Sequence, residues 1–383
     1  MKKKIIVSSF VLLYIVFLLT LKWVKPMIYE ALKSEIDSVG YSERESFSLS
    51  GEYDSIEVHN GIWDIIFEPN DTAETSITTI APKGVKINAE ISDNTLMIRE
   101  KSVLSEIAYK HLVLNSSLRP SVYIYIPIKA YEKIECEMIY GGVSINPYGS
   151  DDGLSFNTFK ARSSSGGVKI GAPVLSGVDV KTVNGDLTLN GNFGDVTFES
   201  ERGEFYLEGA VYGNVKAYTE GGNIKVSSFI EESVDVKTLV GRIELVLRGE
   251  YRSVRAETYS ADIDISNARA DKITAISAMG DINIMGSIGW SSIDVLSSGG
   301  NVDLNLIATE KLKVLNLVGS TKIRTVVPMQ YDVDGVGGRI EHPESSGEYE
   351  CYLLYGTGEA KISCDPIGPT LRDFNEHRRR KAE

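Results

Sequence analysis

The stretch TVNGDLTLNG, Thr182 to Gly191, sets an Asn-Gly pair ahead of Asp186 and then alternates apolar Leu187 and Leu189 with polar neighbours. Alone it fits a hairpin turn, a glycine loop that cradles a ligand, or one copy of a repeat. The flanking sequence decides. The same glycine returns at Gly141, Gly166, Gly185, Gly203, Gly222, Gly241, Gly280, Gly300, Gly319, Gly338 and Gly358, with Ala261 in the single gap. From Gly166 onward the spacing is 18 to 20 residues, and a fixed period of that length marks a stacked repeat architecture.

The columns around the glycine are uniform in character. Seven residues before it stand Phe159, Val178, Val196, Val215, Val234, Val254, Ile273, Ile293 and Leu312, and five before it Ala161, Val180, Phe198, Ala217, Val236, Ala256, Ala275, Val295 and Val314. Apolar residues follow two and four places after it, as in Leu187 and Leu189 or Ile282 and Ile284. Each repeat is thus a period-2 strand, a glycine corner and a second period-2 strand, with one apolar face. A single copy cannot bury that face. Stacking copy on copy does, and it pairs each strand with its equivalent, which predicts an all-β parallel β-solenoid of about 12 rungs.

Two polar columns support this register. Three residues before the glycine lie Ser163, Thr182, Ser200, Thr219, Thr238, Thr258, Ser277 and Ser297, hydroxyls placed to bond along the stack and to the corner backbone. Six before it lie Glu135, Lys160, Asp179, Thr197, Lys216, Asp235, Arg255, Thr274, Asp294, Lys313 and Asp332. No two neighbours in that solvent-facing column share a sign, as parallel stacking in register requires.

The remainder of the chain frames the repeat. It has 383 residues, 42% hydrophobic, and a net charge of −13, which with no basic stripe excludes a nucleic-acid partner. Residues Ile5 to Leu21 carry no charge, follow Lys2, Lys3 and Lys4, and precede Lys22, Trp23 and Lys25. This reads as a transmembrane signal anchor over 1–25 with the N-terminus cytoplasmic and the rest extracytoplasmic, the alternative being a cleaved signal peptide, for which no small-x-small site follows the apolar run. A juxtamembrane linker with some helical character is expected over 26–50, an N-terminal β cap over 51–133 with an early repeat near Gly61-Ile62-Trp63, the solenoid over 134–364, and a mobile tail over 365–383. Three cysteines exclude a disulfide-rich scaffold.

The basic start and anchor, the strand SVYIYIP ahead of the first rung, and the units VDVKTVNGDLTL, VKAYTEGGNIKV, VDVKTLVGRIEL and ITAISAMGDINI together resemble the bacterial adhesin-type or toast-rack β-strand-repeat family. The resemblance covers nearly everything after residue 50. It implies an envelope-anchored exterior solenoid, linked in some members to envelope stress sensing, and it brings no catalytic residues. The pattern expects a left-handed corner glycine, from which this sequence departs at Ala261 and at the rungs with Asn316 and Gly335.

The chemistry-bearing residues are few. The four histidines, His59, His111, His342 and His377, are scattered without metal-ligand spacing. Asp262, Asp264, Asp281, Asn283, Asn301 and Asp303 fall on outward positions of three consecutive rungs, where stacking gathers hard oxygen ligands suited to Ca²⁺; the alternative is a solvated strand face. Ile276, Leu296 and Leu315 form an outward apolar stripe, either covered by a loop such as that carrying Trp290 or open to a partner. Cys136 falls in an inward column. Cys351 and Cys364 end the last rung's two strands, where a disulfide could clip the C-terminal end. The pattern favours a non-catalytic, membrane-anchored exterior module for adhesion, envelope sensing or protein interaction. The alternatives are a polysaccharide-binding or polysaccharide-cleaving solenoid, which needs an aromatic-lined groove absent from such short rungs, and a polymerising scaffold.

Overall fold

The computed structural model describes residues 43–81, 85–102, 120–146, 153–337, 339–345 and 347–364. The 1–25 anchor segment, His111, Gly338, His377 and the 365–383 tail lie outside these residues. Among the described residues no helix is long and apolar enough to cross a membrane, and the regular elements are β-strands joined in one continuous ladder.

The chain winds as an all-β parallel solenoid. The strand before each glycine belongs to a front sheet and the strand after it to a back sheet, and the apolar columns of the two meet between them. Val178, Val196, Val215, Val234, Val254, Ile273, Ile293 and Leu312 are successive register partners along the front sheet. Each is at most 2% exposed, and burying an aliphatic side chain of this size contributes roughly 1.5–3 kcal/mol. The ladder of backbone bonds runs along the stack, so each rung both covers and is covered by its neighbours.

The corner glycine is required by proximity, and this corrects the expectation of a left-handed residue. A Cβ built on Gly241 would lie 1.8 Å from the carbonyl oxygen of Gly222, and one on Gly222 would lie 1.9 Å from that of Gly203. The same contact recurs from Gly166 on Gly141 to Gly358 on Gly319, but within this column only Gly319 and Gly358 have a φ, 125° and 140°, that L-residues avoid. Elsewhere the backbone is ordinary and there is simply no room for a methyl group.

The hydroxyl column closes the corner. Thr238 Oγ1 accepts the N–H of its own Gly241 at 3.0 Å and donates to the carbonyl of Gly222 one rung back, also at 3.0 Å. Thr219 and Ser277 repeat both bonds. Ala261 interrupts the glycine run, and Thr258 reaches Gly241 at a longer 3.2 Å. Ser297 Oγ and Asn316 Oδ1, adjacent members of the column, are buried without hydrogen-bond partners, so the chain of bonds stops where the column changes from hydroxyl to amide.

Stacking departs from chain order at both ends. Tyr349–Thr357 pairs with Val302–Val318 on one side and with Met329–Gly335 on the other. Ala360–Cys364 likewise lies between Thr321–Thr325 and Ile340–Glu341. The last rung in sequence therefore fills the slot before the one that precedes it, correcting the sequential order that the repeat implied. At the other end Ser55–Asn60 lies between Thr95–Ser102 and Ala130–Met138. That first rung is a true repeat with Trp63 at its corner: a Cβ on Gly141 would meet the Trp63 carbonyl at 1.7 Å, and Asn60 stands in the hydroxyl column, bonding both Trp63 N–H and carbonyl. Glu43–Leu49, expected in the helical linker, is instead a strand paired antiparallel with Thr75–Ala81.

Candidate functional site

The acidic positions after the corner glycines form a structural ladder. The side chain one residue after the corner glycine reaches the next rung's backbone. Asp262 Oδ1 accepts the N–H of Asp281 at 2.9 Å, Asp281 Oδ1 that of Asn301 at 2.7 Å, and Asn301 Oδ1 that of Ser320 at 3.0 Å. Asp186 and Asn223 do the same for Glu204 and Arg242. Asp or Asn after the glycine is thus selected as an acceptor for a donor that would otherwise turn to solvent.

Two places further on, Asp264 is held by Arg242 at 2.7 Å and by the Asn283 amide at 3.0 Å. Asp303 is the register partner of Asn283 and Lys322, with Oδ1 buried and unbonded. Asp264 thus has both oxygens on N–H groups and Asp262 and Asp281 one each, while Asp303 keeps a buried oxygen without a partner. Among the described residues, no group of three or more His, Cys, Asp or Glu side chains is arranged to hold a metal ion. The Ca²⁺ reading of these positions therefore lacks a converging oxygen set. The ladder was readable in the recurrence of Asp or Asn one place after the glycine outside the three rungs considered.

The cysteines are free, which corrects the expected Cys351–Cys364 clip. Cys351 is buried in the core between its register partners Leu312 and Tyr331, where burial pushes its thiol up to about 12. Cys364 is half-buried at the strand end and Cys136 is fully buried, its thiol also raised by burial. His59 Nδ1 lies 3.2 Å from Glu137 Oε2, both exposed; a hydrogen-bonded pair without a third group has no nucleophile or oriented base to act through.

What the outer surface offers is an apolar stripe on the front sheet. Ile276, Leu296 and Leu315 are consecutive register partners, and the exchanged rung order brings Leu354 next to Leu315. Sequential stacking would have put Asp334 there. Four half-buried aliphatic side chains on adjoining strands result, with Leu317 (44% exposed) and Tyr259 (60%) on the corner side. Trp290 does not cover them: it lies in the core at 9% exposure, correcting the loop-cover reading. A recess of about 610 Å³ lined by Lys311, Lys313, Gln330, Asp332, Glu350 and Tyr352 among others adjoins the stripe.

These features define a class: a β-solenoid whose corner side chains form hydrogen-bonded ladders from rung to rung and whose outer front sheet carries an apolar stripe with a charged border. The chain belongs to the Toastrack DUF4097 family, whose model matches residues 53–284. It is also similar to solved structures of a candidate adhesin from Parabacteroides merdae (11% identity, 85% of this chain and 97% of that one, TM-score 0.29) and of another from Bacteroides fragilis (13%, 84% and 97%, 0.21). A candidate lipid-binding protein from Parabacteroides distasonis is similar at 15% identity over 84% of this chain and 97% of that one, TM-score 0.23. No curated protein matches the chain.

Proposed function

We propose that the protein is a non-catalytic exterior module, anchored in the cell membrane by the apolar segment Ile5 to Leu21, that presents the front sheet for adhesion, envelope sensing or protein interaction. The observation that carries this reading is the stripe Ile276–Leu296–Leu315–Leu354, aligned by register and half-buried on the outer side of the front sheet. A contiguous apolar patch with a charged border on a rigid face is the mark of a docking surface. The adhesin names of similar structures agree with this reading, and the rigid ladder suits a surface that presents itself without rearrangement.

The test is photocrosslinking in intact cells from introduced residues on the solvent face of 261–319, with identification of what is captured. Specific capture that disappears when Ile276, Leu296 and Leu315 are all changed to Ser supports the proposal. Capture unaffected by that triple change, in a variant that still folds by circular dichroism, refutes it.

A further inference from the structure

We infer that the partner of this face is a second copy of the same chain, packed front sheet to front sheet about a two-fold axis parallel to the strands. The inference rests on the docking reading above and adds the identity of the occupant. It follows from the arrangement of charges around the stripe. Six strands of the front sheet lie side by side in the order Glu250–Thr258, Arg269–Ser277, Ile282–Ser297, Val302–Val318, Tyr349–Thr357 and Met329–Gly335. A two-fold axis between the middle two reverses this order and leaves position along the strand unchanged. The third strand then faces the fourth of the other copy, the second faces the fifth, and the first faces the sixth.

The pairings that result are complementary. Leu296 meets Leu315 of the other copy, and Ile276 meets Leu354. At the column two residues before the stripe, Asp294 meets Lys313 and Arg255 meets Asp332. One column earlier, Lys272 meets Glu350. Within the single chain Lys272 is bound to Asp294 at 2.9 Å and Lys311 to Glu350 at 3.0 Å, while Lys313 and Asp332 have no ion-pair partner among the described residues. The two-fold supplies partners for both. One pairing is unfavourable, Glu257 opposite Asp334, but Glu257 is already held between Lys237 and Arg255 at 2.6 Å each. In-order stacking of the last two rungs would break the scheme, because Asp334 would then face Ile276 of the other copy.

Size sets the expected strength. Six strands about 4.8 Å apart and three outward columns about 7 Å apart give a face of roughly 600 Å² per copy, somewhat below the ~800 Å² per partner of a standard stable interface. The expected product is a reversible dimer that forms as concentration rises and weakens with salt.

Sedimentation velocity of the full chain in mild detergent, over a hundredfold concentration range, tests this. A monomer–dimer transition is expected for the native chain, and its absence across the range overturns the inference while leaving the crosslinking result to judge the docking reading separately. Lys313→Glu alone and Asp294→Lys alone are each expected to remain monomeric, because each sets like charges opposite one another at both symmetry-related contacts. Mixed together they are expected to form a heterodimer, since Asp294 then faces Lys313 and Glu at 313 faces Lys at 294. Failure of the mixture to associate, or dimerisation of either variant alone as tightly as the native chain, rejects this interface. The mixing arm also separates lost pairing from misfolding, which mixing would not repair.

Discussion

The Thr238 hydroxyl bridges two corners of the stack, donating to the carbonyl of Gly222 while accepting the N–H of Gly241. Both bonded groups belong to residues that cannot carry a side chain, so the hydroxyl replaces the hydrogen bonding that the turning backbone gives up. Thr238→Val keeps the shape and removes both bonds. It is expected to lower stability by about 1–3 kcal/mol, read as a fall in the denaturant midpoint, whereas Thr238→Ser stays close to the native value.

Gly241→Ala tests the close approach. The added methyl would overlap the Gly222 carbonyl at 1.8 Å, and neither rung can retreat without disturbing its ladder. A loss of about 3 kcal/mol is expected. Ala261→Gly, at a corner that already carries a methyl, is expected to change stability by less than about 1 kcal/mol. Thermal melts of the two variants side by side give the comparison.

Much of this was legible before any coordinates. The valine column from Val178 to Leu312 fixed the register residue by residue, because an inward position in a stacked strand accepts only apolar side chains. Less was legible where an interaction is made by backbone groups. The corner glycines looked like left-handed turns, and only the distance to the next rung's carbonyl reveals the other cause. The order of the last two rungs was hidden as well: Tyr331 and Cys351, Val333 and Leu353 suit either slot, and what separates the two orders is whether Leu354 or Asp334 stands beside Leu315. In the sequence Asp262 and Asp281 read as a cluster and not as a ladder, because their partners are N–H groups, which every residue there carries.

Acid should weaken the stack through its cross-rung carboxylates. The hydrogen bond from Lys160 holds the Glu135 carboxyl below its usual range, and that from Lys237 does the same for Glu257. A carboxyl whose folded pKa is depressed stabilises the fold above its unfolded pKa, about 4.3, and loses that contribution as pH falls through the folded value. Stability is therefore expected to be flat from pH 7 to 5 and to fall below about pH 4.5. In Glu257→Gln the decline should be shallower, as measured by chemical denaturation across the pH range.

Calcium at millimolar concentration is expected to leave the melting temperature unchanged, since Asp262, Asp264 and Asp281 already accept N–H donors. A rise of several degrees that vanishes in Asp303→Asn would contradict the ladder account and restore a cation site on this face.

Thiol labelling separates the cysteines by burial. Cys364 is expected to react first, and Cys136 and Cys351 only as the chain unfolds, because burial keeps both protonated and out of reach. Peptide mapping after a timed pulse of iodoacetamide checks the order. A Cys351–Cys364 cross-link found without added oxidant would refute it.

The exchanged rungs at the C-terminal end also set the sequence of events during synthesis. Met329–Gly335 leaves the ribosome before the strand it rests on exists, so its native pairing waits until Tyr349–Thr357 follows. The end of the rod is thus completed in one step by the final residues of the described chain, and a product cut short near residue 348 would expose the bare edge of Val302–Val318 together with an unhoused strand. Full-length synthesis is in this way a condition for a closed end, and an interrupted chain would be marked by the very edge that quality control and aggregation both recognise.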